Sequence, residues 1–512
     1  MLKRTVILLA IILLTAGAGL APRVGLAAPP TYKLSVEVVG TGTVDPASGT
    51  YKKSNYFPIT AIPEAGWVFD HWEGYLLGSE NPTHIRFTSD VHVVAVFVDD
   101  SPSTPTPTPT VGPTPLPTPT PVPRDNEVVG YFIQWGVYRR DYHVKDVVSS
   151  GSADTLTVIN YAFAGIGDDL KCQILDPYAD YEKRYDEADS VDGVADLVSQ
   201  PLKGNFHQLK KLKALYPHIK VLISIGGWSD SDKFSDAALP ANRASFVSSC
   251  IDMFIHGRFD PASELSEPGV FDGIDIDWEY PGACGATCNY RPEDTVNFTA
   301  LLAEFRTQLD AVDSSLLLTI AGPASEDYYS QIELDQIHSY LDWINLMTYD
   351  FHGGWEPNGP TNHHANLYPS PCDPPDSAIS ADTSVRGYLD AGVPANKLTL
   401  GLPFYGRGWA SVPDINNGLC QGAGRLPRGT WEKGVEDFEV LEAKGYPGFW
   451  DPVAQAHWIY DGRTFWTYDN ADSVARKMAY IRDASLRGVM FWELSGDDPE
   501  GSLITAIANG QP

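Results

Sequence analysis

The sequence predicts an α/β protein built on a (β/α)8 TIM barrel, with an α+β insertion after the seventh strand and a small all-β, β-grasp-like domain in front. Three observations carry that prediction. Eight short apolar runs alternate with helix-length segments, the pattern of a parallel sheet. One of these runs, Phe271 to Glu279, lines up three acids on a single face. A Thr/Pro tract divides this region from a shorter stretch of strand-like alternation.

Residues 1–27 carry Lys3 and Arg4, the apolar run Val6 to Leu14, and small residues leading to Ala27. That order is a secretory signal cleaved near Ala27, so the chain is expected to be secreted and extracellular. A membrane anchor is the alternative, but the run is short for a span of ~20 residues. An exported chain with six cysteines is expected to form disulfides. Cys284 and Cys288 are close enough to close a small loop, while Cys172, Cys250, Cys372 and Cys420 allow several pairings. Metal binding by these thiols is disfavoured, because the spacings are scattered and contain no paired CxxC units.

The formal charge of −30 and the pI near 4.6 would repel nucleic acid and anionic membranes. A neutral or cationic substrate is favoured. With 43% hydrophobic residues, 25 Tyr, 20 Phe and 13 Trp, the composition is globular and rich in aromatics.

Residues 31–99 alternate in short runs, among them Leu34 to Val39, Phe57 to Ile62 and Val91 to Val98, separated by Gly, Pro and Asn turns. Residues 100–124 are a Thr/Pro linker that prefers polyproline II and would reach about 70 Å if extended. From 125 to 512 the strand candidates are Val128 to Trp135, Leu156 to Ile166, Lys220 to Gly226, Phe271 to Glu279, Leu316 to Gly322, Trp343 to Asp350, Lys397 to Phe404 and Gly488 to Leu494. The last gap is too long for one helix, and the insertion is placed at about 405–470, a stretch rich in Gly, Trp, Tyr and Pro.

In the run Phe271 to Glu279, strand alternation sends Asp275, Asp277 and Glu279 one way and Ile274, Ile276 and Trp278 the other. Burying unpaired carboxylates costs several kcal/mol each, so packing alone predicts Val or Ile at those positions. Asp272 has the opposite parity and reads as local support at the strand's start. Barrel active sites lie at the C-terminal ends of the strands, where Glu279 falls. A general acid must still be protonated near neutral pH, and Glu279 is the candidate. Asp275 and Asp277 are ~6.6 Å apart by backbone rise, so their carboxyls can meet and share a proton. Their joint charge would help keep Glu279 protonated.

The run DGIDIDWE resembles the DxxDxDxE signature of family 18 of the glycoside hydrolases. SIGGW at Ser224 to Trp228, NLMTYD at Asn345 to Asp350, YGRGW at Tyr405 to Trp409 and GVMFWELSGD at Gly488 to Asp497 extend the resemblance, which covers Glu127 to Asn509. The first strand and the long insertion are similar to the bacterial chitinase A group. The resemblance implies a metal-independent, cofactor-free endochitinase acting on chitin and chito-oligosaccharides as a monomer. In that family the substrate's own acetamido group replaces a carboxylate nucleophile. Asp277 would then orient that group, and Asp275 would receive the proton when Asp277 turns.

The resemblance also suggests subsites. Tyr349, Asp350 and Met347 surround the acetamido pocket, with barrel filling as the plainer role for Met347 and Tyr349. Trp492 forms the floor of the central sugar subsite, lined by Tyr131 and Phe163, although core packing accounts for Phe163 equally well. Trp135 matches a more distant non-reducing-side subsite, Trp228 and Trp355 the leaving-group side, and Arg407 a weaker sugar contact. The glycines of Ser224-Ile225-Gly226-Gly227 are read as structural support that allows positive φ and close backbone approach. Two rival readings are an endo-β-N-acetylglucosaminidase on glycans or peptidoglycan and a non-catalytic chitin-binding lectin. The retained acids oppose the lectin reading.

Residues 31–99 resemble the divergent InlB-type B-repeat module, through GTGTVDPASGTY, AIPEAGWVFDHWEG and VHVVAVF. That resemblance implies adhesion or spacing. Trp67, Phe69 and Trp72 are core residues on the plainer reading and a sugar-stacking platform on the alternative.

Overall fold

The computed structural model describes residues 31–52, 54–64, 66–74, 76, 81–87, 91–99, 126–260, 266–374 and 378–511. The expected signal peptide and the Thr/Pro linker lie outside the described residues. The chain divides into two compact units.

The first unit holds strands β1 (Thr31–Val39), β2 (Gly42–Asp45), β3 (Gly49–Lys52), β4 (Ser54–Pro63), β5 (Trp67–Gly74), β6 (Thr83–Phe87) and β7 (Val91–Asp99). They form a four-stranded sheet in the order β3-β1-β7-β5 and a three-stranded one in the order β2-β4-β6. In β7 the alternation buries Val91, Val93, Ala95 and Phe97. Trp72 is 1% exposed, its ring is 5.1 Å from that of Phe69, and Trp67 and Phe69 pack on the same core. Trp72 therefore belongs to the interior, with Trp67 and Phe69 partly buried against it, and a stacking platform that includes Trp72 is excluded.

The second unit contains β8 (Glu127–Ile133), β9 (Val158–Ile166), β10 (Cys172–Ile174), β11 (Lys220–Gly226), β12 (Gly273–Asp277), β13 (Leu317–Gly322), β14 (Trp343–Leu346), β15 (Leu398–Pro403), β16 (Tyr405–Ala410), β17 (Val435–Asp437), β18 (Gly448–Asp451), β19 (Ala456–Tyr460), β20 (Thr464–Tyr468) and β21 (Gly488–Trp492). The parallel ladder β9-β11-β12-β13-β14-β15-β21-β8 closes through a β8–β9 pairing, so eight strands form a barrel. Helices such as Gly204–Leu215, Asp294–Val312 and Ala471–Asp483 cover its outside. Ile274 and Ile276 face that layer, as does Trp278, whose ring stacks on Phe234 at 5.3 Å. The expected insertion is a five-stranded antiparallel sheet in the order β17-β16-β20-β19-β18, carrying the short helix Phe438–Glu442.

Several expected strands end early. β12 stops at Asp277 and β14 at Leu346, so Glu279 and Asp350 sit in the loops just beyond their strands. Asp272 performs its expected local role, accepting from the Val221 amide at 2.9 Å and pairing with Lys213 at 2.7 Å. Cys284 bonds Cys288, and the remaining cysteines pair as Cys172–Cys250 and Cys372–Cys420.

Candidate active site

Register across the barrel determines what surrounds the acids. Asp275 pairs with Ser224 on one side and Thr319 on the other. Ser224 Oγ and Tyr131 Oη each donate to Asp275 Oδ2 at 2.8 Å, while Thr319 Oγ1 donates to Oδ1 at 2.5 Å and Asn345 Nδ2 at 3.3 Å. The Asn345 amide is itself oriented, because its Oδ1 accepts from Trp343 Nε1 and Thr399 Oγ1, each at 2.9 Å. Four donors fill the acceptor capacity of one carboxylate. Burial raises the Asp275 carboxyl and these donors oppose the rise.

Asp277 has the opposite surroundings. Its Oδ1 is buried with no hydrogen-bond partner, and burial, then the charges of Glu279 and Asp275, push its carboxyl well above the usual range. No hydrogen bond joins the two aspartates among the described residues, because the donors around Asp275 already engage it.

Glu279 is held at its backbone. Its N–H donates to Ser231 Oγ at 2.9 Å, and that hydroxyl donates to the carbonyls of Gly227 at 2.9 Å and Asp277 at 3.0 Å. Gly226 and Gly227 take φ of 110° and 83°, and a Cβ on Gly226 would lie 2.2 Å from the Asp277 carbonyl oxygen. Only glycine permits that approach. Burial lifts the Glu279 carboxyl to about 7, a hydrogen bond with Tyr280 opposes the lift, and the Asp350 charge adds to it. Desolvation, more than the aspartate pair, keeps this acid protonated.

Asp350 has φ 58° and is gripped by Arg407, with Nε donating to Oδ1 at 2.8 Å and Nη2 to Oδ2 at 2.6 Å. Despite burial, the guanidinium and neighbouring His364 hold the Asp350 carboxyl far below the usual range. Burial pushes the His364 imidazole down while Asp350 opposes the shift, and its ring stands 5.4 Å from that of Tyr405. Tyr349 Oη donates to Met490 Sδ at 3.7 Å. Its hydroxyl is held protonated by burial and by the charges of Asp277, Asp350 and Glu279.

The aromatic residues separate by exposure. Trp492 is half-buried at the barrel mouth, 5.3 Å from Tyr131, 5.6 Å from Phe163 and 6.5 Å from Trp135, and Met347 and Tyr349 join the same cluster. Phe163 lies nearly parallel to Trp492, at 17°, so it serves core and cleft together. Trp135, Trp228 and Trp355 are 40%, 56% and 56% exposed. Trp135 also lines a cavity of about 250 Å³ with Tyr138, Arg139, Arg140 and Trp431. Ser231, Tyr280 and His364 had no individual sequence signal. Each acts through a loop conformation or a long-range contact.

Residues 127–497 match the model of glycosyl hydrolases family 18. The chain belongs to this family. Residues 32–101 match the divergent InlB B-repeat domain. Chitinase 63 of Streptomyces plicatus is 41% identical over 386 residues, covering 75% of this chain and 60% of the relative. Chitinase C of Streptomyces lividans is 42% identical over 377 residues, covering 73% and 58%. The chain thus spans about three fifths of the length of these curated relatives. The family fold is shared by the catalytic domain of psychrophilic chitinase B from Arthrobacter TAD20, at 39% identity and a TM-score of 0.72, covering 76% of this chain and 95% of that one.

Proposed function

We propose that the chain is a secreted chitinase that cleaves β-1,4 N-acetylglucosamine linkages with retention, using the substrate's acetamido group as nucleophile. The observation that carries this reading is the unequal state of the acids at the barrel mouth. Asp275 is saturated by four donors and Asp350 is held by Arg407. Asp277 retains a free buried acceptor beside a Glu279 whose carboxyl stays protonated to about pH 7.

In this reading Glu279 gives its proton to the glycosidic oxygen as the C1–O bond breaks. The acetamido carbonyl oxygen closes on C1 to form an oxazolinium ion, and Asp277 accepts from the acetamido N–H. The leaving sugar departs, water attacks C1, and Glu279 takes the water's proton back. Tyr349 Oη can donate to the acetamido oxygen in place of its weak thioether contact. Trp492 offers an indole face to the sugar. Trp135 serves the non-reducing side, and Trp228 and Trp355 the leaving-group side. Residues 1–27 are proposed to direct export. With Trp72 committed to its core, the module at 31–99 is proposed to act as a spacer or tether.

The test is to digest partially deacetylated chitin and sequence the new reducing ends. N-acetylglucosamine should occupy them almost exclusively, with glucosamine tolerated in flanking positions. Frequent glucosamine at those ends would rule out substrate assistance.

A further inference from the structure

Trp355 is as exposed as Trp228, at 56%, yet its ring is backed by its own turn and by Arg407. A Cβ on Gly353 would lie 2.7 Å from the indole, and the Arg407 guanidinium carbon is 5.2 Å from the ring centroid. More than half of the residue's surface remains open to solvent. A platform of this kind works only if the turn carrying it is held still, because the entropy lost on ordering a loose side chain otherwise offsets the energy of stacking.

The turn is held by His352. Its Nδ1 lies 2.9 Å from Glu356 Oε2, closing the turn across Trp355, and its Nε2 lies 3.0 Å from Asp373 Oδ1. Asp373 follows Cys372, whose disulfide to Cys420 ties this loop to the insertion. Asn362 Nδ2 donates to Asp373 Oδ1 at 2.6 Å, and Trp409 Nε1 donates to the Glu356 carbonyl at 2.8 Å. The charged groups facing His352 are Glu356 on its own turn and Asp373 on the disulfide-linked loop; Asn362 is neutral. Burial works against protonation of His352, but hydrogen bonds to Asp373 and then Glu356 outweigh it and raise the imidazole to about 9. That rise favours an imidazolium between the two carboxylates, with Asn362 Nδ2 3.0 Å from Nε2.

We propose that His352 is a positioning residue for Trp355, locking the turn so that the indole presents a fixed face to the leaving-group sugars. The inference rests on the reading of Trp355 as a sugar platform, and it adds the device that sets the enzyme's grip on long substrates. Among the described residues no hydrogen bond joins the His352 side chain to Asp275, Asp277 or Glu279, so its contribution is assigned to binding and not to the chemical step.

The experiment compares wild type, Trp355→Ala, His352→Gln and the double variant on a chito-hexaose and on a 4-nitrophenyl disaccharide. Trp355→Ala is expected to raise KM for the hexaose roughly five- to tenfold, the scale of one aromatic contact. His352→Gln should do the same while keeping kcat on the short substrate. The double variant should be no worse than Trp355→Ala alone, as expected for two residues acting through one contact. An effect of Trp355→Ala with none from His352→Gln, or full additivity of the two, overturns the inference. No effect of Trp355→Ala on the hexaose overturns the platform reading and the inference with it. Should His352→Gln fold poorly by near-UV circular dichroism, Asp373→Asn replaces it. A further readout needs no change at the clamp: hexaose affinity of the inactive Glu279→Gln protein should weaken as pH rises through about 9. Affinity unchanged from pH 7 to pH 10 counts against the clamp.

Discussion

Arg407 and Asp350, 57 residues apart, form a two-point ion pair at 2.8 and 2.6 Å on the rim of the barrel. The pair holds Asp350 ionised, and its charge is one cause of the raised Glu279 carboxyl. Asp350→Asn is therefore expected to lower the Glu279 value. The alkaline limb of kcat/KM, expected near pH 7 in the wild type, should move to lower pH, because the acid loses its proton earlier. A limb that stays in place or moves upward would show that Asp350 does not act on the acid through its charge.

Glu279→Gln should leave the fold and chitin binding intact and remove nearly all turnover. Loss of a general acid is expected to cost about 10² to 10⁴ in rate or more. Activity within tenfold of wild type, with an unchanged near-UV spectrum, would exclude Glu279 as the proton donor.

Asp277→Asn should give a large rate loss on partially deacetylated chitin. Its new reducing ends should still carry N-acetylglucosamine, because Asp277 is proposed to assist the acetamido group without replacing it. A changed end preference in the surviving activity would assign Asp277 a different role.

Asp180 gives a stability prediction. It is 2% exposed, accepts from Tyr161 Oη at 2.5 Å and from Gln134 Nε2 at 3.1 and 3.2 Å, and burial pushes it up to about 8. Its folded-state value exceeds its unfolded one, so the native state binds the extra proton. The associated stability is complete below about pH 4 and is lost as pH rises towards 8. Asp180→Asn removes this titration. Its thermal midpoint should vary less between pH 5 and pH 8 than that of the wild type, and an equal or steeper dependence would contradict the assignment.

The barrel could be read from the chain because parallel strands buried on both faces leave apolar runs, and eight of them stand out between helix-length segments. The acids on β12 stood out for the opposite reason, since packing alone cannot account for Asp275 and Asp277 where Ile belongs. What alternation could not supply was the end of the pleat. Trp278 keeps its outward direction, but Glu279 and Asp350 lie past their ladders, where loop contacts and not parity decide orientation. The donors around Asp275 come from β8, β11, β13 and β14, so they emerge only once strand register is known. The same holds for Arg407, which reaches Asp350 from the insertion, and for His352 and Asp373, which meet within the segment between β14 and the helix Ala381–Asp390. In the first unit, Trp67, Phe69 and Trp72 had two readings until burial decided between them.

The insertion touches both flanks of the barrel mouth. On one, Asp437 receives Arg140, which stacks on Trp431; on the other, Cys420 and Trp409 brace the loop that carries Trp355. The acids themselves belong to strands and loops outside it. Selection can therefore retune how much of a polymer the cleft holds by drift within one contiguous segment, while the proton-transfer machinery on β12 and the loop after it stays fixed. Such a partition makes the insertion a natural unit of exchange between relatives.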